Sequence, residues 1–455
     1  MAPRLASPLP PWHQTVSPAL AALVRALAHM AEGRGWRARL VGGFVRDWLL
    51  GRPSLDLDLV FEGRHGAWTA PVLAREAQRR FGGRVHLHRA FGTAVWHLPS
   101  AVAIARTLHT PHRAEAPWPD HLDLVTARRE RYPQPAALPQ VQPGSLLSDL
   151  YRRDFTINAM AIDLAHGDAL IDPFGGREDL AQGWLRVLHP ASFRDDPTRL
   201  FRGARYLVRY QLQWEPETQA LIPSGVTYIP RLSGDRVRHE LDRILDEPTP
   251  GPVIGRLGTD GVAHAVHPAL PTDADAQQRV AHLRALDATR MAEWGLPERT
   301  RRAVGYALWW LPLSDAALTG LCQRLACPKA LRTTVHAAAE LWRTRARWAT
   351  LRPGALALHL DQYPRPAVAA LALAASPPLR ATLDRYLRHD RDLKPLLTGH
   401  DLRALGLKPG PRFGELLRAL RMAQIEGHVR TRDDALAWLQ SQIPDFPSRK
   451  NTRPQ

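Results

Sequence analysis

The stretch from Leu40 to Val60, LVGGFVRDWLLGRPSLDLDLV, constrains the fold more than any other part of the chain. Its end alternates leucine with aspartate, the period of two expected of a β-strand with one buried and one open face. Its start places Gly42 and Gly43 ahead of a short amphipathic segment that carries Arg46. In an extended strand Asp56 and Asp58 project from the same face, where two carboxylates can share divalent cations that stabilise the attacking and leaving oxygens of an in-line displacement. Glycines lacking Cβ let a triphosphate approach their N–H groups, and Arg46 supplies charge-assisted hydrogen bonds. Either half alone also describes an ordinary solvated turn or polar strand face. Together, and in this order, they point to nucleotidyl transfer.

The chain of 455 residues is long enough for several domains with buried cores. Its formal net charge of +17, from 61 Lys and Arg against 44 Asp and Glu, makes an acidic polymer the natural partner, because clustered cations gain affinity by releasing counterions from a phosphate backbone. Arginine-rich composition has genomic causes too, so the motifs must decide. Cys322 and Cys327 are too few for a disulfide framework or a zinc site, which fits a reducing cytosol. PALAALVRALAHMA near the N-terminus, interrupted by Arg25 and His29, reads as an amphipathic helix over the first domain, not a leader peptide. No apolar run reaches the ~18–20 residues of a membrane span, and the longest, AVAALALAAS, stops at Pro377. A cytoplasmic protein without membrane partners is expected.

Between Leu40 and Asp172 the pattern is mixed α/β. RARLVGG, LDLDLVFE, GRVHLHRAF, TAVWHLP and HLDLVTAR read as strands and WTAPVLAREAQRRFGG as a helix. ERYPQPAALPQVQPGSLLS, rich in proline, reads as a loop or flap. After Asp172 helical patterns take over, among them DDPTRLFRGARYLVRYQL, GDRVRHELDRILDE and RVAHLRALDATRMAEW. Expected domains are a catalytic head over 1–172, a helical neck with base recognition over 173–250, a helical body over 251–390 and a basic helical tail over 391–455.

Further segments carry candidate chemistry. LYRRDFTINAMAID sets Arg152, Arg153 and Asp154 before an apolar helix whose polar exception is Asn158. The arginines suit phosphate or an aspartate, and Asp154 or Asn158 suits a ribose hydroxyl, although Asp154 also fits a helix N-cap. In FRDDPTRLFRGARY, Pro197 fits a first helical turn, with Asp195 and Asp196 before it and Arg199, Arg202 and Arg205 at three-residue spacing. A plain amphipathic basic helix explains this pattern. So does a carboxylate one turn from a guanidinium, meeting the hydrogen-bonding edge of a base. Asp123 in HLDLVTA is a candidate third carboxylate, as base or extra ligand.

The order of these motifs, continued by IDPFGG and LSGDRVRHEL, resembles the bacterial class of tRNA nucleotidyltransferases and poly(A) polymerases from about Leu40 to Leu245. LLTGHDLRALGLKPGPRFGELLRALRMAQIEG resembles their tRNA-binding end. The resemblance implies an α+β fold: a polymerase-β-like head with a mixed sheet, then all-helical neck, body and tail. It implies that Gly43 and Arg46 contact the triphosphate, Asp56 and Asp58 ligate Mg2+, Arg153 holds the nucleotide and Asp154 contacts the ribose. Asp196 and Arg199, assisted by Arg202 and Arg205, would pair with the base of CTP or ATP. The family favours glutamate where this chain has Asp195, so only the templating pair itself is carried over. Arg236 and Glu240 would buttress that helix. The implied reaction is attack of a tRNA terminal ribose hydroxyl on the α-phosphorus, with pyrophosphate leaving.

Within the family the product is CCA, CC, a single A, or a poly(A) tail. Members that stop at CC tend to have a shortened loop before the RRDFT segment. Here the loop from Glu130 to Asp149 is full, which favours A or CCA addition. The tRNA-type tail disfavours poly(A) synthesis. A non-catalytic RNA binder would gain nothing from Asp56 and Asp58 near phosphate. No His-Asp pair with phosphohydrolase spacing marks the middle region, so no hydrolytic activity is expected.

Overall fold

The computed structural model describes residues 5, 6, 8–52, 54–64, 66–111, 116–348 and 350–443. Position 53 of the opening motif and 444–455 of the expected tail lie outside them. The chain forms two compact units, Met1–Ser233 with Asp260–Ala265, and Gly234–Thr259 with Val266–Gln455.

The first unit begins with α1 (Pro18–Glu32), capped by the Ser17 hydroxyl, which accepts from the Leu20 N–H. Leu20, Leu23, Val24 and Leu27 of α1 are fully buried, as its apolar spacing predicts. Then come β1 (Arg37–Val41), α2 (Gly43–Leu49), β2 (Asp58–Glu62), α3 (Ala70–Phe81), β3 (Arg84–His88), β4 (Thr93–His97), α4 (Ala101–Leu108) and β5 (His121–Thr126). After these lie the hairpin β6 (Arg128–Arg131) and β7 (Gln140–Pro143), α5 (Leu146–Tyr151), β8 (Ala161–Asp163) and β9 (Ala169–Ile171). The main sheet is seven-stranded and mixed, in the order β3-β4-β5-β2-β1-β8-β9. β2 runs antiparallel to β1 and parallel to β5, and this pairing sets Asp58 beside Asp123. The expected strands and the helix over 70–81 are present.

Three local expectations are corrected. Asp56 does not share a strand with Asp58. Pairing with β1 ends at Val41 and Asp58, where Gly42 turns away, and the Ser54 hydroxyl takes the Asp56 N–H that a ladder would need. The apolar run after Asp154 is no helix either. Thr156–Asn158 make one 3-10 turn, and Ala161–Asp163 pair with β1 as β8. Every residue from Phe155 to Ala161 is buried, and a run buried on all sides carries no periodicity to separate strand from helix. The proline-rich flap is a hairpin, with Arg128 opposite Pro143 and Glu130 opposite Val141, the prolines falling in the turn and at the strand end.

The remainder of the first unit is helical apart from the short parallel pair Trp184–Leu185 and Gln213–Trp214. It holds α6 (Gly176–Gln182), α7 (Ser192–Asp195), α8 (Thr198–Tyr210) and α9 (Pro216–Val226). α8 buries Leu200, Phe201, Ala204 and Leu207 and carries Arg199, Arg202 and Arg205.

The second unit is helical throughout its described residues and begins with α10 (Gly234–Leu245). RVAHLRALDATRMAEW is not one helix here: Ala274–Ala281 and Ala288–Glu293 are separated by a 3-10 turn at His282–Ala285. Leu397, Leu402, Leu420, Val429 and Leu439 of the tail segment form a small core. Cys322 and Cys327 are buried free thiols. Among the described residues no helix is long and apolar enough to cross a membrane.

The place of α8 depends on Gly203, where a Cβ would fall 2.0 Å from Cη2 of the Trp214 ring. Alanine normally favours a helix over glycine by up to ~1 kcal/mol. Gly203→Ala is expected instead to destabilise the protein by about 1–3 kcal/mol, the cost of overpacking. Chemical denaturation followed by tryptophan fluorescence tests this, and a stabilised variant would contradict it.

Candidate active site

The glycine turn, β2 and β5 form one side of the site. Gly42 has φ 72°, a conformation that side chains rarely adopt, and it caps α2. A Cβ there would lie 2.6 Å from Arg153 Nη1 and 3.5 Å from Asp58 Oδ2, so a guanidinium and a carboxylate converge over this glycine. Asp123 sits on the adjacent strand, in register with Asp58. Asp56 is exposed just before the strand. Burial pushes the Asp58 carboxyl up to about 7. Arg153 opposes that shift, while Asp56, Asp123 and Asp149 reinforce it. Asp123 is also raised, by burial and by Asp56, against a lowering from His121, His88 and His97.

The arginines form the other side. Asp149, with no exposed surface, accepts from Arg152 Nε at 3.0 Å and Nη2 at 2.8 Å through one oxygen, and from Arg153 Nη2 at 3.0 Å through the other. Burial alone would raise its pKa, and the two guanidinium groups outweigh it and hold it below the usual carboxylate range. Glu130 on the hairpin accepts from Arg152 Nη1 at 3.0 Å and pairs with Arg128 at 3.1 Å. Arg153 Nε is buried without a partner.

A second network joins Asp154, Asn158, Arg202 and Arg46. Asp154 accepts from Arg202 Nε at 2.8 Å, Asn158 Nδ2 at 2.9 Å and the Phe155 N–H at 2.9 Å. Burial is again overridden, chiefly by Arg202, and its pKa falls to about 2. Arg46 donates to Asn158 Oδ1 at 2.5 Å and to both oxygens of Asp47, and its guanidinium lies 4.3 Å from the Tyr210 ring centroid. It is buried inside this network.

On α8, Arg199 is buried and donates to Ser192 Oγ at 2.5 Å and to the Arg152 carbonyl at 2.7 Å. Asp196 accepts from the Thr198 N–H at 3.2 Å and hydroxyl at 2.7 Å at the start of the helix. Arg205 is buried further along. Tyr132 of the hairpin loop donates to Glu130 at 3.0 Å, and its acidity responds to both Arg199 and Asp196. The Ala136 N–H reaches the Arg194 carbonyl at 3.0 Å, tying the loop to α7. Arg153 and Asp58 therefore meet over Gly42, with Asp123 beside Asp58 on the next strand. Asp154, Asn158, Arg46 and Arg202 form a linked wall, and Arg199 is fastened to both segments through the Arg152 carbonyl.

Sequence reasoning did not single out Asp149 or Glu130, although both anchor the arginines. The available signal was helical spacing, since Asp149 stands three and four residues before Arg152 and Arg153.

A mixed sheet whose adjacent strands present carboxylates beside a glycine turn, faced by anchored arginines, defines a nucleotidyltransferase head. Residues 38–186 match the poly A polymerase head domain, and residues 211–272 match a domain described as the probable RNA and SrmB- binding site of polymerase A. The A-adding tRNA nucleotidyltransferase of Halalkalibacterium halodurans is 33% identical over 91% of this chain and 90% of its own length. The CC-adding tRNA nucleotidyltransferase of Deinococcus radiodurans is 33% identical over 90% of each. The apo structure of a CCA-adding enzyme superposes with a TM-score of 0.77 at 27% identity, covering 97% of this chain and 100% of that one. The Thermotoga maritima CCA-adding enzyme complexed with tRNA superposes at 0.70 with 25% identity, covering 97% and 99%. The chain belongs to the tRNA nucleotidyltransferase and poly(A) polymerase family.

The raised Asp58 carboxyl gives a stability prediction with a definite sign. An acid whose folded pKa of about 7 exceeds the ordinary 3.8 contributes stability below about pH 4, and loses that contribution as pH rises through 7. In metal-free protein at pH 8, Asp58→Asn should raise the melting temperature, at roughly 2–4 °C per kcal/mol of relieved strain. The advantage should shrink towards pH 4. A variant that melts at or below wild type at pH 8 would contradict the strained charge.

Proposed function

We propose that the chain adds the terminal adenosine to the 3′ end of tRNA from ATP, alone or as the last step of CCA addition with CTP, and releases pyrophosphate. The observation that carries nucleotidyl transfer is the convergence of Asp58 and Arg153 over the Cβ-free backbone of Gly42, with Asp123 in register beside Asp58 on the next strand. Preference for adenosine rests on the full segment from Glu130 to Asp149, which holds most of the hairpin and whose Tyr132 lies within electrostatic reach of Arg199 and Asp196.

Hard carboxylate oxygens whose mutual repulsion lacks full compensation suit Mg2+, which binds through one or two carboxylates plus substrate phosphates and water. Asp56 and Asp58 would hold it. Among the described residues no three His, Cys, Asp or Glu side chains group to hold a metal, so substrate oxygens and water would have to complete the coordination. The cation would neutralise charge on the reacting oxygens.

The protein's own residues position the substrates. Gly42 and Gly43 leave room for the triphosphate, Arg153 offers its unpaired Nε–H, and Arg46 stiffens the wall through Asn158. Asp154 stays ionised and sets Asn158 and Arg202 for the ribose. Arg199 and Asp196, with Arg202 and Arg205 on the same helix, present donors and acceptors to the base. Asp123 would act as base or as an extra ligand. The head over 1–172 would carry the chemistry, the neck over 173–250 base choice, and the body over 251–390 and tail over 391–455 the tRNA. A chain that acts on tRNA with nucleoside triphosphates would work in the cytoplasm.

Purified protein offered tRNA lacking CCA, ending in C or ending in CC, with ATP, CTP or both, tests this by product sequencing. Incorporation of one adenosine onto the CC-ended tRNA is expected. A product that stops at CC with CTP and ATP present, or a long A tail, would overturn it. Asp58→Ala should lower incorporation at least a hundredfold while tRNA binding persists, in line with loss of transition-state charge stabilisation. Arg199→Ala should relax the choice between CTP and ATP, and unchanged preference would exclude templating by that residue.

A further inference from the structure

The open face of the main sheet continues beyond the carboxylates. Along β4 and β5, Ala94, Trp96, Leu122 and Leu124 are buried on the side covered by α3, so residues of the other parity stand on the uncovered face. The register sets Arg84 opposite His97 and His88 opposite Thr93, then His97 opposite His121 and Val95 opposite Asp123. His86, His88, His97 and His121 therefore share the face of Asp123 and Asp58, and all four are exposed. The His86 and His88 rings lie 4.6 Å apart and those of His97 and His121 6.0 Å apart. His121, His88 and His97 are near enough to act on the Asp123 carboxylate.

Packing does not require imidazole at exposed positions, where any polar side chain would serve. A zinc-type cage is not formed, because among the described residues no three potential ligands converge on one point. What the face offers is a row of flat aromatic rings with N–H donors, flanked by the fixed charge of exposed Arg84. Sheets hold single-stranded RNA by such means, stacking bases on aromatic side chains while donors and cations meet the backbone. β3 lies two strand spacings, roughly 10 Å, from β5. At ~3.4 Å per stacked nucleotide that distance accommodates about three nucleotides.

We propose that this imidazole face seats the last unpaired nucleotides of the RNA acceptor, leading its 3′ hydroxyl to Asp58 and Asp123; the inference rests on the nucleotidyl-transfer reading above. His86, His88 and His97 are positioning residues. They hold the acceptor and touch neither the triphosphate nor the reacting atoms.

The test is steady-state adenosine incorporation by the full-length protein on tRNA ending in CC. His86→Ala/His88→Ala/His97→Ala should raise KM for tRNA about tenfold, with kcat within twofold and KM for ATP unchanged. His86→Glu/His88→Glu, which places carboxylates against phosphate, should raise it further. Unchanged KM for tRNA in both variants overturns the proposal, as does an equal rise in KM for ATP or a lowered melting temperature, either of which assigns the histidines to the fold. Failure of wild-type protein to incorporate any nucleotide would instead refute the underlying function.

Discussion

The site depends on Asp149, a carboxylate with no exposed surface that holds Arg152 with one oxygen and Arg153 with the other. A buried charge without a partner costs several kcal/mol, so the three groups form a unit in which each makes the others tolerable. The unit transmits position in two directions. Through Arg153 it reaches Gly42 and Asp58 on the sheet, and through the Arg152 carbonyl it takes a hydrogen bond from Arg199 on α8. Glu130 adds the hairpin to the same set by binding Arg152 and Arg128. β2, α8 and the hairpin thus share one buried ionic anchor.

Sheet register does the rest of the positioning. β2 lies between an antiparallel and a parallel neighbour, and that arrangement sets Asp58 level with both Val41 and Asp123. A one-residue slip would turn every β2 side chain to the opposite face, sending Asp58 into the core and Leu59 to solvent. Leu57, Leu59 and Phe61 are buried on one face, Val60 packs with Leu146, Leu150 and Ala161 on the face of Asp58, and together with the turn at Gly42 these contacts guard against it. The histidine row follows from the same alternation, since β4 and β5 cannot bury Ala94, Trp96, Leu122 and Leu124 without presenting His97, His121 and Asp123 on the other side.

Periodic segments were legible in the sequence. α1, α3, α8 and the five strands from Arg37 to Thr126 follow from their apolar spacing, and so does the family, because its motifs are short and ordered. Illegible were the features set by tertiary partners. β8 was hidden because the run from Phe155 to Ala161 is buried on all sides and shows no period. Asp56 left the strand because β1 ends at Val41 and offers no further partner. Arg46 reads as a phosphate contact from its place beside the glycines, but the fold surrounds it with Asn158, Asp47 and Tyr210, partners from distant segments as well as its neighbour. Asp149 was passed over because one acid before two arginines is a common surface pattern, and only burial turns it into an anchor.

Asp58 and Asp154 show how far environment separates identical side chains. Both are removed from water, which favours the neutral acid in each. Asp154 meets Arg202 and Asn158, and its pKa falls to about 2, so it stays ionised as an orienting group. Asp58 meets Arg153 too, but also Asp56, Asp123 and Asp149, and it rises to about 7. Burial pushes both up, and the neighbours of Asp154 outweigh it while those of Asp58 do not. Positive charge is therefore complete around Asp154 and incomplete around Asp58. An arriving cation gains most where that deficit lies, and there it draws the carboxylate into its ionised form. The electrostatic deficit is left on β2, where Arg153, shared with Asp149, compensates Asp58 only in part.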